Sequence, residues 1–126
     1  MIQIGTNVIV SDNSGARKAM CIGLYNGFQS SFAKTGDIIL VTVKRLRAKR
    51  RNLSKAKKGS MYKALVIRVK VLYKNHNSSY FFNENSVVLL NQKNKLLGTR
   101  IFGALPKNLR YTKFSKLITL SSGLLN

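Results

Sequence analysis

Apolar residues alternate with polar ones along short stretches of this chain, the two-residue period of half-buried β-strands. Residues 6–10 give the first such stretch. Asp12, Asn13, Ser14 and Gly15 then form a turn-rich break, and residues 19–25 resume the apolar pattern. Residues 37–46 are rich in Ile and Val. The stretch 63–73 is more informative: Leu65, Ile67, Val69, Val71 and Tyr73 line one face, while Arg68 and Lys70 fall on the other. That pattern predicts a strand with one core face and one face that presents charge outward. A further strand is expected over 86–90, with 80–82 extended ahead of it. Five or so closely spaced strands, with no ten-residue helical stretches between them, favour a small closed antiparallel β-barrel over an α/β fold. Closure also protects the edges that Ile/Val-rich strands expose.

After Asn91 the pattern changes. Polar residues and Gly98 predict a loop, and a short helix is expected near Pro106. Phe114, Leu117 and Ile118 have the three-and-four spacing of a second helical turn anchored on the barrel. The chain reads as one domain, 1–126, with the barrel over 1–91 and a C-terminal lobe over 92–126.

Charge adds a partner to this picture. Nine of the fifteen residues in 44–58 (KRLRAKRRNLSKAKK) are Lys or Arg and none is acidic, within a 126-residue chain of formal charge +20. Solvated faces normally mix signs, so this window implies a dense counter-charge, with nucleic-acid phosphate the obvious candidate. The stretch 44–60 is expected to form a long basic hairpin or loop projecting between two strands. Arg45, Arg47, Arg50 and Arg51 are candidates for two-pronged phosphate contacts, with Lys44, Lys49, Lys55, Lys57 and Lys58 filling out the field. Ordering such a loop costs about 1–2 kcal/mol of backbone entropy per residue, which predicts that it becomes fixed only when bound. Arg17 and Lys18 beside a turn give a weaker phosphate signal. Arg100, Lys107, Arg110, Lys113 and Lys116 form a second basic population. A solubilising surface is the alternative, and charge alone leaves single-stranded RNA, folded RNA and DNA all open. For Tyr80, Phe81 and Phe82, core packing is favoured over base stacking.

Other chemistry is thinly supplied. The only carboxylates, Asp12, Asp37 and Glu84, are isolated in sequence, His76 lies in a turn, and Cys21 stands alone between Met20 and Ile22. No paired acid and base, metal-ligand set, cofactor motif or disulfide is expected, and Cys21 reads as a small buried hydrophobe. There is no stretch for a membrane helix, and the N-terminal MIQIGTNVIV resembles neither a secretory signal nor a transit peptide. Abundant Lys, Asn, Tyr and Phe fit AT-biased coding, common in organelle genomes.

Six blocks carry a resemblance: DNSGARKAMCI (12–22), GDIILVTVK (36–44), KKGSMYKALVIRVK (57–70), VVLLN (87–91), GTRIFG (98–103) and ALPKNLRYTKFSKLITL (104–120). In this order they resemble the universal large-subunit ribosomal protein fourteen family, bacterial and organellar type, over essentially the whole chain. The resemblance implies a five-stranded barrel, a projecting β-ribbon and a lobe with short helices. It implies binding to large-subunit rRNA, contact with large-subunit protein nineteen, a bridge to small-subunit rRNA, and a surface for the ribosomal silencing factor. Arg17, Lys18, Arg45, Arg47, Lys57, Lys58, Arg68 and Arg100 match the family's basic RNA-facing positions, and 98–110 with 113–116 its interface lobe. Position-fixing, not turnover, is the implied role. The AT-biased look and the loosened turns point to a mitochondrial ribosome first, with a plastid or bacterial one as alternatives. An extraribosomal nucleic-acid-binding regulator or RNA chaperone is the competing reading.

Three departures stand out. Asn77 and Ser78 replace the family's usual Asp-Gly turn in a stretch one residue shorter, Glu84 falls near a usual glycine, and 44–58 is unusually basic. The first two predict altered bends.

Overall fold

A computed structural model describes residues 1–25, 31–48, 53–74, 76, 78–111 and 113–125. Among the described residues nine strands carry the fold: β1 (Asn7–Val10), β2 (Ala16–Leu24), β3 (Ile38–Leu46), β4 (Met61–Arg68), β5 (Leu72–Lys74), β6 (Ser79–Phe81), β7 (Ser86–Leu90), β8 (Ile101–Pro106) and β9 (Ser121–Leu125). A 3-10 turn at Lys107–Tyr111 and the one-turn helix α1 (Leu117–Leu120) lie between β8 and β9. The expected five-stranded closed barrel is present, in the order β1-β2-β3-β4-β7. Its closure is mixed, because β1 runs parallel to β7, pairing Ile9 with Ser86 and Val10 with Val87. The other four ladders are antiparallel.

Alternation holds in β1 and along 39–43 of β3, whereas β2 breaks it between Ala16 and Ala19. Val8, Val10, Ala16, Ala19, Cys21, Ile39, Val41 and Val43 all enter the barrel core. Strands β4 and β7 are buried on both faces, which explains their unbroken apolar runs. Ala64, Val66, Val87 and Leu89 point into the barrel. Leu65, Ile67, Val88 and Leu90 point the other way, into a second core with Ile101, Leu105, Leu109 and Leu117. The C-terminal segment is thus plastered over the outer wall formed by β4 and β7. Each Leu or Ile fully buried there contributes about 1.5–3 kcal/mol.

The single strand expected over 63–73 is two. The β4–β7 ladder shifts register between Val66 and Arg68, and β4 ends at Arg68. One extra residue reverses the inside-outside phase. Val69 consequently joins the barrel core while Leu65 and Ile67 join the second one. Beyond the break, β5 and β6 form a separate antiparallel ribbon. Its Tyr73 stacks on Tyr80 at 4.9 Å, and Phe82 packs edge-on against both. Asn77 lies outside the described residues. Glu84 makes its bend without a left-handed backbone; among the described non-glycine residues only Asn94, at φ 59°, is left-handed. The expected short helices are both found, whereas β8 and β9, paired in parallel, were not expected as strands.

Candidate nucleic-acid interface

The turn joining β1 to β2 organises the basic surface. Asp12 is fully buried and its two oxygens reach different parts of the fold: Oδ1 accepts from the Ser14 amide at 3.1 Å and the Ser14 hydroxyl at 2.5 Å, and Oδ2 from the Leu89 amide at 3.0 Å. Burial pushes the Asp12 carboxyl pKa up, against the opposing pull of those hydrogen bonds and of Arg47. Asn13 reaches the C-terminal segment, its Oδ1 accepting from the Thr99 amide at 2.6 Å and the Arg100 amide at 3.2 Å. The Ser14 carbonyl accepts from the Lys55 and Ala56 amides, and the Gly15 carbonyl from the Arg47 amide. Gly15 has φ 102°, and a Cβ there would collide with Ser54. Four consecutive residues therefore tie β7, the 98–100 loop and both legs of the basic segment to one point.

This changes the expected behaviour of 44–58. Its base is bonded to the protein itself, with Ala56 fully buried. Lys55, Lys57 and Lys58 are exposed, while Lys49, Arg50 and Arg51 lie outside the described residues.

A second cluster forms on β2 and β3. Register shifts on either side of Lys18 mark an irregularity that leaves both Arg17 and Lys18 exposed between buried Ala16 and Ala19. Across the ladder Lys18 pairs with Arg45, and Lys44 and Arg45 are likewise exposed in succession. Like charges directly opposite on a sheet are destabilising. Lys18, Lys44 and Arg45 line a depression of about 460 Å³ with Asn7, Val8 and Ile9.

Two arginines are placed differently. Arg47 is half-buried, its Nη2 donating to the Val10 carbonyl at 3.4 Å and its guanidinium 5.2 Å from the Phe102 ring centre. Its Nε is buried without an acceptor among the described residues. Arg68 corrects the expectation of an outward, RNA-facing residue beside Lys70. Lys70 is exposed, but Arg68 is only 7% exposed. Its Nη1 donates to the Phe102 and Ala104 carbonyls at 3.0 and 3.1 Å, and Nη2 to the Ser11 and Ser86 hydroxyls at 2.6 and 3.2 Å. The register shift takes it out of the barrel-facing phase of Ala64 and Val66 and sets it beside Ser86 on the outer wall, where β8 covers it. Gly103, at φ 85°, permits this approach, because a Cβ would run into the guanidinium. Burial lowers the Arg68 pKa, and Glu84 opposes that.

In the lobe, Arg100, Arg110, Lys113 and Lys116 are exposed and Lys107 is half-buried. Lys113 and Lys116 share a groove of about 590 Å³ with Phe114 and Ile38. His76 is exposed; Cys21 is buried, and its thiol pKa is raised by burial. Among the described residues no group of three or more His, Cys, Asp or Glu is arranged to hold a metal, and no helix is long and apolar enough to cross a membrane.

Residues 1–125 match the family model for Ribosomal protein L14p/L23e. The chain belongs to this family. It is therefore a structural, non-catalytic protein of the large ribosomal subunit, and its partners are rRNA and other ribosomal proteins. For an L14 protein the wiring of the Asp12–Gly15 turn and the buried Arg68 were the features that sequence reasoning missed. The turn residues were visible, but their partners lie more than 70 residues away along the chain for Leu89 and Thr99.

Proposed function

We propose that this L14 protein fixes large-subunit rRNA through its β2–β3 face and the neighbouring basic segment. The pairing of Lys18 with Arg45, flanked by Arg17 and Lys44, carries the reading. Asp12 is buried, Asp37 accepts from the Lys34 amide and Glu84 lies toward Ser86 and Arg68, so the paired cations need an outside anion. Phosphate supplies it. Lys55, Lys57, Lys58 and Arg100 extend the contact, as do Lys49, Arg50 and Arg51. The chain works as one domain, in which the barrel (1–91) holds RNA and the lobe (92–126) supports the intersubunit interface. Lys107, Arg110, Lys113 and Lys116 serve there, beside large-subunit protein nineteen and a bridge to small-subunit rRNA, on a surface that also receives the ribosomal silencing factor.

AT-biased composition favours a mitochondrial large subunit, with plastid or bacterial ribosomes the alternatives. Gradient sedimentation of fractionated organelles, with protein identification, tests both parts. Enrichment in the mitochondrial large subunit is expected. Recovery only in low-mass fractions would favour the extraribosomal regulator or chaperone, and recovery in plastid ribosomes would correct the compartment.

A further inference from the structure

Two exposed phenylalanines from distant strands open onto one groove of about 600 Å³. Phe81 of β6 is 52% exposed and Phe102 of β8 is 45% exposed, and the groove is also lined by Ile9, Arg47, Asn83 and Glu84. Of the four aromatic rings on and beside the β5–β6 ribbon, Tyr73, Tyr80 and Phe82 satisfy one another. Phe81 faces away from that cluster and finds no such partner among the described rings. The Arg47 guanidinium lies 5.2 Å from the Phe102 ring centre. A flat aromatic surface and a guanidinium plane form the combination on which unpaired RNA bases stack.

Resting on the rRNA reading above, we infer that this groove is a slot for one unpaired rRNA base, with its phosphate toward Arg47. The polar lining selects the base. Glu84 and the Asn83 amide also line the groove, and a carboxylate accepts from the exocyclic amine of adenine, cytosine or guanine but repels a phosphate. Amine-bearing bases are therefore preferred over uracil. The chain's charge of +20 favours a nucleotide over an acidic or aromatic protein side chain only in supplying the phosphate attraction; the two rings decide for the base.

The test uses the full chain and single-stranded RNA oligonucleotides carrying one 2-aminopurine reporter. Binding should quench the reporter, and A- or C-containing competitors should outcompete U-containing ones. Phe81→Leu combined with Phe102→Leu should abolish the quench and lower affinity roughly tenfold, while the dependence of affinity on salt stays unchanged. Phe81→Leu alone, at an exposed ribbon position, provides the comparison if the double variant fails to fold. RNA binding by the wild type without quenching, or an unchanged quench in the variants, overturns the slot and leaves the rRNA reading standing. Absence of RNA binding by the wild type overturns both. Release of a neighbouring protein from assembled large subunits by the variants, with oligonucleotide binding intact, assigns the groove to protein and also overturns the slot.

Discussion

Arg68 shows how one residue can be basic, lie in a family block and still be buried. Its guanidinium joins the hydroxyls beside the parallel seam to two carbonyls of β8, so its donors are spent inside the protein. Replacing it with Met strands those acceptors, and hydrogen bonds from charged groups contribute about 1.5–3 kcal/mol. Arg68→Met is expected to lower stability in urea unfolding by about 2–3 kcal/mol and to leave the salt dependence of RNA binding unaltered. A changed salt slope with normal stability would return Arg68 to the RNA surface. Strand alternation alone gave this side chain to solvent, because nothing local announces that β8 returns to cover the wall on which it sits. Ser11 and Ser86, small hydroxyl residues at the ends of apolar strands, were the available hint. The exposure of Arg17 and Lys18 side by side had a plainer signal, since two consecutive charges cannot both face outward on a regular strand.

At the level of elements, the basic segment behaves as a docked loop with an outward cargo of lysines. The amides of Arg47, Lys55 and Ala56 are held by Ser14 and Gly15 without any RNA. Hydrogen exchange on the free protein should therefore show protection at these three amides. Gly15→Ala, which forces a Cβ toward Ser54 at φ 102°, should remove that protection together and cost more than about 1 kcal/mol of stability. Exchange of all three at unprotected rates in the wild type would restore the picture of a segment ordered only by RNA. The strands of the barrel were legible because each carries its own alternation or apolar run. β8 and β9 were not, because Gly103 and Pro106 interrupt one and Ser121, Ser122 and Gly123 dominate the other. β8 is held by the second core, where Ile101 and Leu105 pack against β4 and β7, an attachment that no short window of residues can display, and β9 is added by pairing with β8.

For the whole molecule, 23 basic residues against three acidic ones make binding a problem of counterions as much as contacts. Each phosphate neutralised steepens the fall of log affinity with log salt by about 0.7–0.9. Changing Arg17, Lys18, Lys44 and Arg45 together to Gln should reduce that slope by roughly three, measured with a cognate rRNA fragment. A slope unchanged by all four substitutions would remove the β2–β3 face from the RNA contact. Composition made this partner class readable, while the face on which it acts depended on the fold. The parallel seam has a consequence in time. Strands β1 to β4 can pair one after another as the chain is synthesised, but the outer edge of β1 has no partner until residues 86 and 87 are made. Such distant pairing is slow, and an open Ile/Val edge invites association with other nascent chains or capture by a chaperone. Both ladders of β7, to β1 and to β4, wait for residues 86–90, so the barrel closes only when its last strand has been made.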